Sequence, residues 1–88
     1  MKIKDGFMLR EIVDTWVVVP LGKRVVEFNG IMTLSETGAL LWRGIEKGAD
    51  INSLVDSVMA EYDIDKTTAL SDTLEFISAI KQKGLLEQ

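Results

Sequence analysis

The side chains this sequence offers for chemistry are carboxylates, lysines, arginines and hydroxyls, because it contains no histidine and no cysteine. The commonest general base near neutral pH and the commonest imidazole metal ligand are missing, along with thiol chemistry and disulfide bonds. The acidic set most suggestive of a metal loop is Asp63, Asp65 and Asp72. A calcium loop would add a glycine hinge and a closing bidentate glutamate, so capping and turn roles account for these carboxylates more simply. No nucleophile stands beside a recognisable base. The expectation is a protein without catalysis of its own, without a metal and without a cofactor.

Composition narrows the partners. Fourteen acidic residues against ten basic ones leave a net charge of −4, whereas proteins that hold nucleic acid by counterion release carry a basic footprint. With 47% hydrophobic and 27% charged residues, 88 residues suffice for one modest core, so a single domain over residues 1–88 is expected. No apolar run approaches the roughly 20 residues of a membrane-spanning helix, so no membrane partner is expected. The opening Met1-Lys2-Ile3-Lys4-Asp5-Gly6 has lysines without an apolar stretch behind them. That argues against export, and the lack of cysteine fits a reducing cytoplasm.

The elements that must position any site change character in the middle of the chain. Phe7 to Ile12, with Phe7, Leu9 and Val13 on one side and Met8, Arg10 and Ile12 on the other, suits a short strand that Asp14 breaks. Thr15-Trp16-Val17-Val18-Val19 reads as a strand ended by Pro20 and Gly22, and its near-continuous apolar character suggests burial on both faces. Val25-Val26-Glu27-Phe28 fits either a strand paired through an Asn29-Gly30 turn with Ile31 to Leu34, or a connecting loop. Ser35-Glu36-Thr37 is then a helix start, since the hydroxyl accepts an orphaned backbone N–H and the carboxylate suits the positive end of the dipole.

Three helices are expected from there. The first runs from about Ser35 to Lys47, with Leu34, Leu41, Trp42 and Ile45 at helical spacing and Gly48 as its stop. Gly38 inside it costs roughly 1 kcal/mol relative to alanine, which close approach of the sheet or the third helix would explain. The second begins at Asp50 and carries Ile51, Leu54, Val55, Val58, Met59 and Tyr62. The third, capped by Asp65, shows Leu70, Thr73, Leu74, Ile77 and Ile80 with Phe76 beside the stripe, and ends near Gly84. Leu85-Leu86 read as a tail folded back on the core, and Trp16 and Trp42 as core aromatics. The expected fold class is α+β and winged-helix-like, an N-terminal three-stranded antiparallel sheet followed by three helices.

Architecture alone assigns no function. In a small winged-helix DNA-binding transcriptional regulator, the third helix would read the duplex. Its polar positions Lys66, Thr67, Ser71, Asp72, Glu75, Ser78, Lys81 and Gln82 mix both signs and include no arginine, a poor match to base edges and phosphates. That reading stands as the alternative, and no nucleic-acid partner is expected.

The run Asn29-Gly30-Ile31-Met32-Thr33-Leu34-Ser35-Glu36-Thr37-Gly38-Ala39, continuing to Trp42, resembles the entry to the first helix in PqqD-like proteins. Ser35 stands where that family usually has asparagine. Ile51, Leu54, Val58 and Tyr62, then Asp72, Phe76-Ile77, Ile80 and Gly84-Leu85-Leu86, fit the same pattern, so the likeness spans about Phe7 to Leu86. The resemblance implies three strands and three helices forming a non-catalytic recognition domain for ribosomally made precursor peptides. It further implies that the precursor's leader adds as an extra strand beside the third strand, over a groove walled by the third helix. A partner enzyme, of the radical S-adenosylmethionine class or another, then modifies the core peptide. The proline-rich entry to the sheet found in members dedicated to the quinone cofactor is not obvious here, which favours a relative serving some other modified peptide.

Strand addition needs an edge with unpaired N–H and C=O groups and alternate side chains that make pockets. Ile31 to Leu34 has neither proline nor charge, although natural edges are usually guarded by one or covered. From the residues alone, an inner strand paired on both sides is the ordinary reading; the resemblance makes it the open edge. The peptide-binding residues are then Phe28, Ile31, Met32, Thr33 and Leu34, with Leu70, Thr73, Leu74 and Ile77 from the third helix. Such a helical stripe is more often core. Thr73 either faces a half-wet groove or bonds back to its own helix, and the second is simpler. The same edge also admits a homodimer.

Overall fold

The computed structural model describes residues 1–28 and 30–87. Its sheet is antiparallel, in the order β1-β2-β3, and comprises β1 (Phe7–Ile12), β2 (Thr15–Pro20) and β3 (Met32–Leu34). β1 and β2 form a hairpin with Ile12 opposite Thr15. The two loop residues, Val13 and Asp14, have φ of 42° and 64°, the hand that matches the twist of the flanking strands. Asp14 suits that conformation. Val13, β-branched and 89% exposed, is strained there and belongs to the turn, not to the strand face with Phe7 and Leu9. Val17 and Val18 are both buried, so the central strand is covered on both faces as its composition suggested.

Val25 to Phe28 is neither strand nor loop. Residues Arg24–Glu27 form a single helical turn, α1, with Phe28 as its C-cap. β-branched residues favour strands only where neighbours accept them, and here the neighbours impose a turn. Val25 and Val26 donate to Gly22 and Lys23 at 3.2 Å, and Phe28 to Arg24 at 2.7 Å. Arg24 then pins the turn to the start of β1. Its Nε donates to Asp5 O at 2.8 Å, its guanidinium lies 5.6 Å from the Phe7 ring centroid, and it pairs with Glu27 at 3.3 Å. The Asn29-Gly30 hairpin turn lies outside the described residues at Asn29. β3 begins at Met32, one residue later than the expected start at Ile31.

The three longer helices follow the expected punctuation: α2 (Glu36–Glu46), α3 (Ile51–Tyr62) and α4 (Lys66–Gln82). Each is capped by a side-chain oxygen accepting the backbone N–H three residues on. Ser35 accepts from Gly38 at 3.0 Å, Asp50 from Ser53 and Asp65 from Thr68, both at 2.8 Å. Those cap bonds from Ser53 and Thr68 hold the Asp50 and Asp65 carboxyls below their ordinary value. Asp63 ends α3 in the left-handed conformation at φ 50°.

The core gathers Trp42, Leu41 and Ile45 of α2, Leu54 and Val58 of α3, Ile80 of α4, Val18 of β2 and the tail residue Leu85. The indole N–H of Trp42 has no partner, so this residue contributes by volume. Leu85 and Leu86 do fold back: Lys4 N–H donates to Leu85 O at 2.9 Å and Glu87 N–H to Lys2 O at 2.8 Å. α2 packs unusually close to its neighbours. A Cβ on Gly44 would stand 2.5 Å from Leu54 Cδ2, and one on Gly38 would meet Phe76 Cε1 at 3.3 Å and Leu34 Cβ at 3.4 Å. Close approach therefore explains the glycine at position 38.

Candidate functional site

The backbone of β3 is the feature most able to bind. Leu21 N–H donates to Gly6 O at 2.8 Å, which extends the β1–β2 register by one pair beyond Phe7 and Pro20. Bonded pairs alternate along an antiparallel ladder. Met8, Arg10 and Ile12 therefore bond to β2, and Trp16 and Val18 of β2 turn their backbone groups toward Leu34 and Met32 of β3. The N–H and C=O of Thr33 point away from the sheet, and among the described residues no strand lies on that side. Pro20 continues the row of Trp16 and Val18, so the donor it lacks would point past the end of β3, where nothing needs it.

Beside this edge, the first turn of α2 forms the floor between β3 and α4, because Gly38 lies against both Leu34 and Phe76. A cleft of about 260 Å³ opens there, bordered by Ser35, Thr37 and Gly38 on one side and by Asp72, Glu75 and Phe76 on the other. It is lined by two hydroxyls and two carboxylates together with Leu41 and the Phe76 ring. No cluster of acidic side chains that could hold a metal ion occurs among the described residues. No helix among them is long and apolar enough to cross a membrane.

The sequence-predicted residues divide into groups. Ile31, 60% exposed, Met32, half-buried, and Thr33, exposed, lie at or next to the free edge, while Leu34 at its end is buried against the core. Phe28 packs edge-to-face on Phe7 of β1, with centroids 5.4 Å apart, so its ring is engaged with β1. Thr73 is fully buried and its hydroxyl donates to Ala69 O at 2.8 Å; it bonds back within its own helix. Leu70 and Leu74 are exposed, and Ile77 borders a different cleft with Met1, Lys81 and Leu86. At about 100° per residue, the row Leu70, Leu74 and Ile77 stands on a different flank of α4 from Asp72, Glu75 and Phe76. The helix therefore turns an acidic and aromatic row toward the first turn of α2, not the aliphatic row that hydrophobic spacing picks out. The signal for this was Gly38, whose close contact names Phe76 as the residue facing it.

Comparison with known proteins identifies the relatives of this chain. The family model for coenzyme PQQ synthesis protein D (PqqD) matches residues 15–86. The solved structure of TbiB1 in complex with the TbiA(beta) leader peptide is similar over 99% of this chain and 95% of that one, with 31% identity and a TM-score of 0.79. The structure of lasso peptide synthetase B1 complexed with the leader peptide has the same fold, over 99% of this chain and 96% of that one, with 16% identity and a TM-score of 0.80. Curated proteins give no match. A family match over most of the chain, together with the order of sheet and helices shared with both structures, places this chain in the PqqD family.

Proposed function

We propose that the chain is a non-catalytic leader-peptide-binding module. It captures a ribosomally made precursor by strand addition at β3 and presents it to a modifying enzyme, of the radical S-adenosylmethionine class or another. The observation that carries this reading is the outward backbone of Thr33 on an uncharged edge, in a chain 31% identical to one solved with a leader peptide. An added strand bonds its main chain to Thr33 and passes Ile31 and Met32. Its inward side chains descend toward Leu34, Phe76 and the Asp72–Glu75 rim. Because β3 spans only Met32–Leu34, main-chain pairing supplies few bonds of about 0.5–1.5 kcal/mol each, and side chains in the cleft must supply the rest.

The test is a fluorescence titration of the labelled leader encoded beside the gene, with the TbiA(beta) leader as a second probe. Saturable binding that Thr33→Pro weakens, in a variant with unchanged circular dichroism, is the expected result. Undiminished affinity in that variant would remove strand addition at β3. The titration is repeated across protein concentration, because a second copy of the chain competes for the same edge. A parallel titration with random duplex DNA across salt is expected to show no binding.

A further inference from the structure

The cleft between the first turn of α2 and α4 is charged, and its charge is not matched within the chain. Asp72, half-buried, and Glu75, exposed, both line it, and among the described residues no lysine or arginine does. The ion pairs among those residues are Lys2–Glu87 and Arg24–Glu27, so neither carboxylate has a cation beside it. The N-terminal end of α2 sets only about half a positive charge against the two acids. Its Gly38 N–H is already taken by Ser35 Oγ, and Glu36 adds a further acid in the same turn. The cleft is therefore negative, and a half-buried carboxylate without a partner gains by receiving one. The same lining includes Leu41 and the half-buried Phe76 ring. Carboxylates beside an aromatic ring suit a long side chain that is apolar along its stem and cationic at its head.

We propose that this cleft reads one basic side chain of the leader, an arginine or a lysine. The inference rests on the leader adding at β3, and the register of that added strand says which residue is read. The leader residue lying opposite Thr33 turns its side chain to the same face of the sheet as the Thr33 side chain. Its neighbour, lying opposite Leu34, turns its side chain to the other face, where Leu34 is buried against the core. A Cβ on Gly38 would meet Leu34 Cβ at 3.4 Å and Phe76 Cε1 at 3.3 Å, so the residue opposite Leu34 starts beside the cleft. Its stem runs past Leu34 and Phe76, and its cationic head pairs with Asp72 and Glu75. An acidic side chain at that position would add a like charge to the two already there, so the cleft refuses it.

The experiment follows backbone amides of the isotope-labelled full chain by NMR. The probes are blocked heptapeptides of alternating valine and threonine with arginine, its neutral isostere citrulline, or glutamate at the centre. The arginine peptide is expected to shift Thr33, Gly38 and Phe76 together and saturably. It should bind about five-fold or more tightly than the citrulline peptide, with the glutamate peptide weaker again, and added salt should narrow the gap. In Asp72→Asn combined with Glu75→Gln, shown by circular dichroism to be folded, the arginine and citrulline peptides should come within about two-fold of each other. Equal affinities for those two peptides in the unaltered chain, or a preference for arginine that survives the loss of both carboxylates, would overturn the assignment and leave strand addition standing wherever Thr33 still moves. The TbiA(beta) leader is titrated alongside. If it moves Thr33 while the arginine peptide moves nothing up to millimolar concentration, this inference alone fails. If no probe moves Thr33, the β3 reading fails and takes this one with it.

Discussion

The two free edges of one small sheet are built in opposite ways. β3 covers Met32–Leu34 and has no charged residue, whereas β1 covers Phe7–Ile12 and carries Arg10 and Glu11. Beside β3 lies an acid-rimmed cleft against α4, and beside β1 an aromatic groove under an arginine of α2. Long bare edges invite pairing with any chain, and proteins blunt them with charge or keep them short. This molecule uses charge on one side and brevity on the other. A short edge cannot select a partner by main-chain bonding alone, so in the proposed reading specificity at β3 falls to the helix beside it.

The largest expected effect separates the two edges directly. Thr33→Pro should lower leader affinity about ten-fold or more, since one outward N–H is lost and the ring crowds the added strand. Glu11→Pro removes the equivalent outward N–H of β1 and should leave leader affinity within two-fold. Equal losses in the pair would mean that leader binding does not distinguish the edges.

Next in size is Val13→Asn at the hairpin that joins β1 to β2. Relieving a β-branched residue at positive φ should stabilise the fold by about 1 kcal/mol, raising Tm by about 4–8 °C. Leader binding at β3 should not change, and a shift in affinity would show that the hairpin communicates with the far edge. Thr73→Val is smaller still. The hydroxyl is satisfied inside its own helix, so stability should move by less than about 1 kcal/mol and leader affinity should hold. A clear loss of affinity would return Thr73 to the binding surface.

The smallest effect concerns the helices rather than the edges. The Asp50 and Asp65 carboxyls titrate below their ordinary value of 3.8 because backbone N–H groups of Ser53 and Thr68 bond to them. Their contribution is therefore complete above that range and fades as pH falls through the depressed values. Asp50→Asn with Asp65→Asn keeps an acceptor at each cap. It should flatten the acid limb of a thermal-stability profile without moving the neutral plateau. An unaltered acid limb would mean that other carboxylates set it.

Much of the frame was legible because it is written in local chemistry. Ser35, Asp50 and Asp65 cap their helices, Asp14 breaks the first strand, and Gly38 marks a close approach, all readable without knowing the fold. α1 was not legible, since Val25 and Val26 are strand formers. Their helical turn is imposed by Arg24 reaching back to Asp5, a contact between residues far apart in the chain. That Ile31 to Leu34 could stand at the sheet's edge was readable, because an uncharged run needs only to be left there. Which flank of α4 lies against the start of α2 was not. Hydrophobic spacing on α4 points to Leu70, Leu74 and Ile77, but which flank lies against α2 depends on how the two helices seat, and that is settled by Phe76 against Gly38.

The two glycines of α2 also bear on the order of assembly. Each lowers intrinsic helicity by roughly 1 kcal/mol relative to alanine, so an excised α2 peptide is expected to be mostly coil. The short-linked α3–α4 pair carries no glycine within its helices and needs only nearby contacts, which form early. α2 is then expected to become helical late, when its partners are present to grip it. The floor of the cleft between α2 and α4 would thus be among the last parts of the molecule to take shape during folding, and among the first to loosen when the core is weakened.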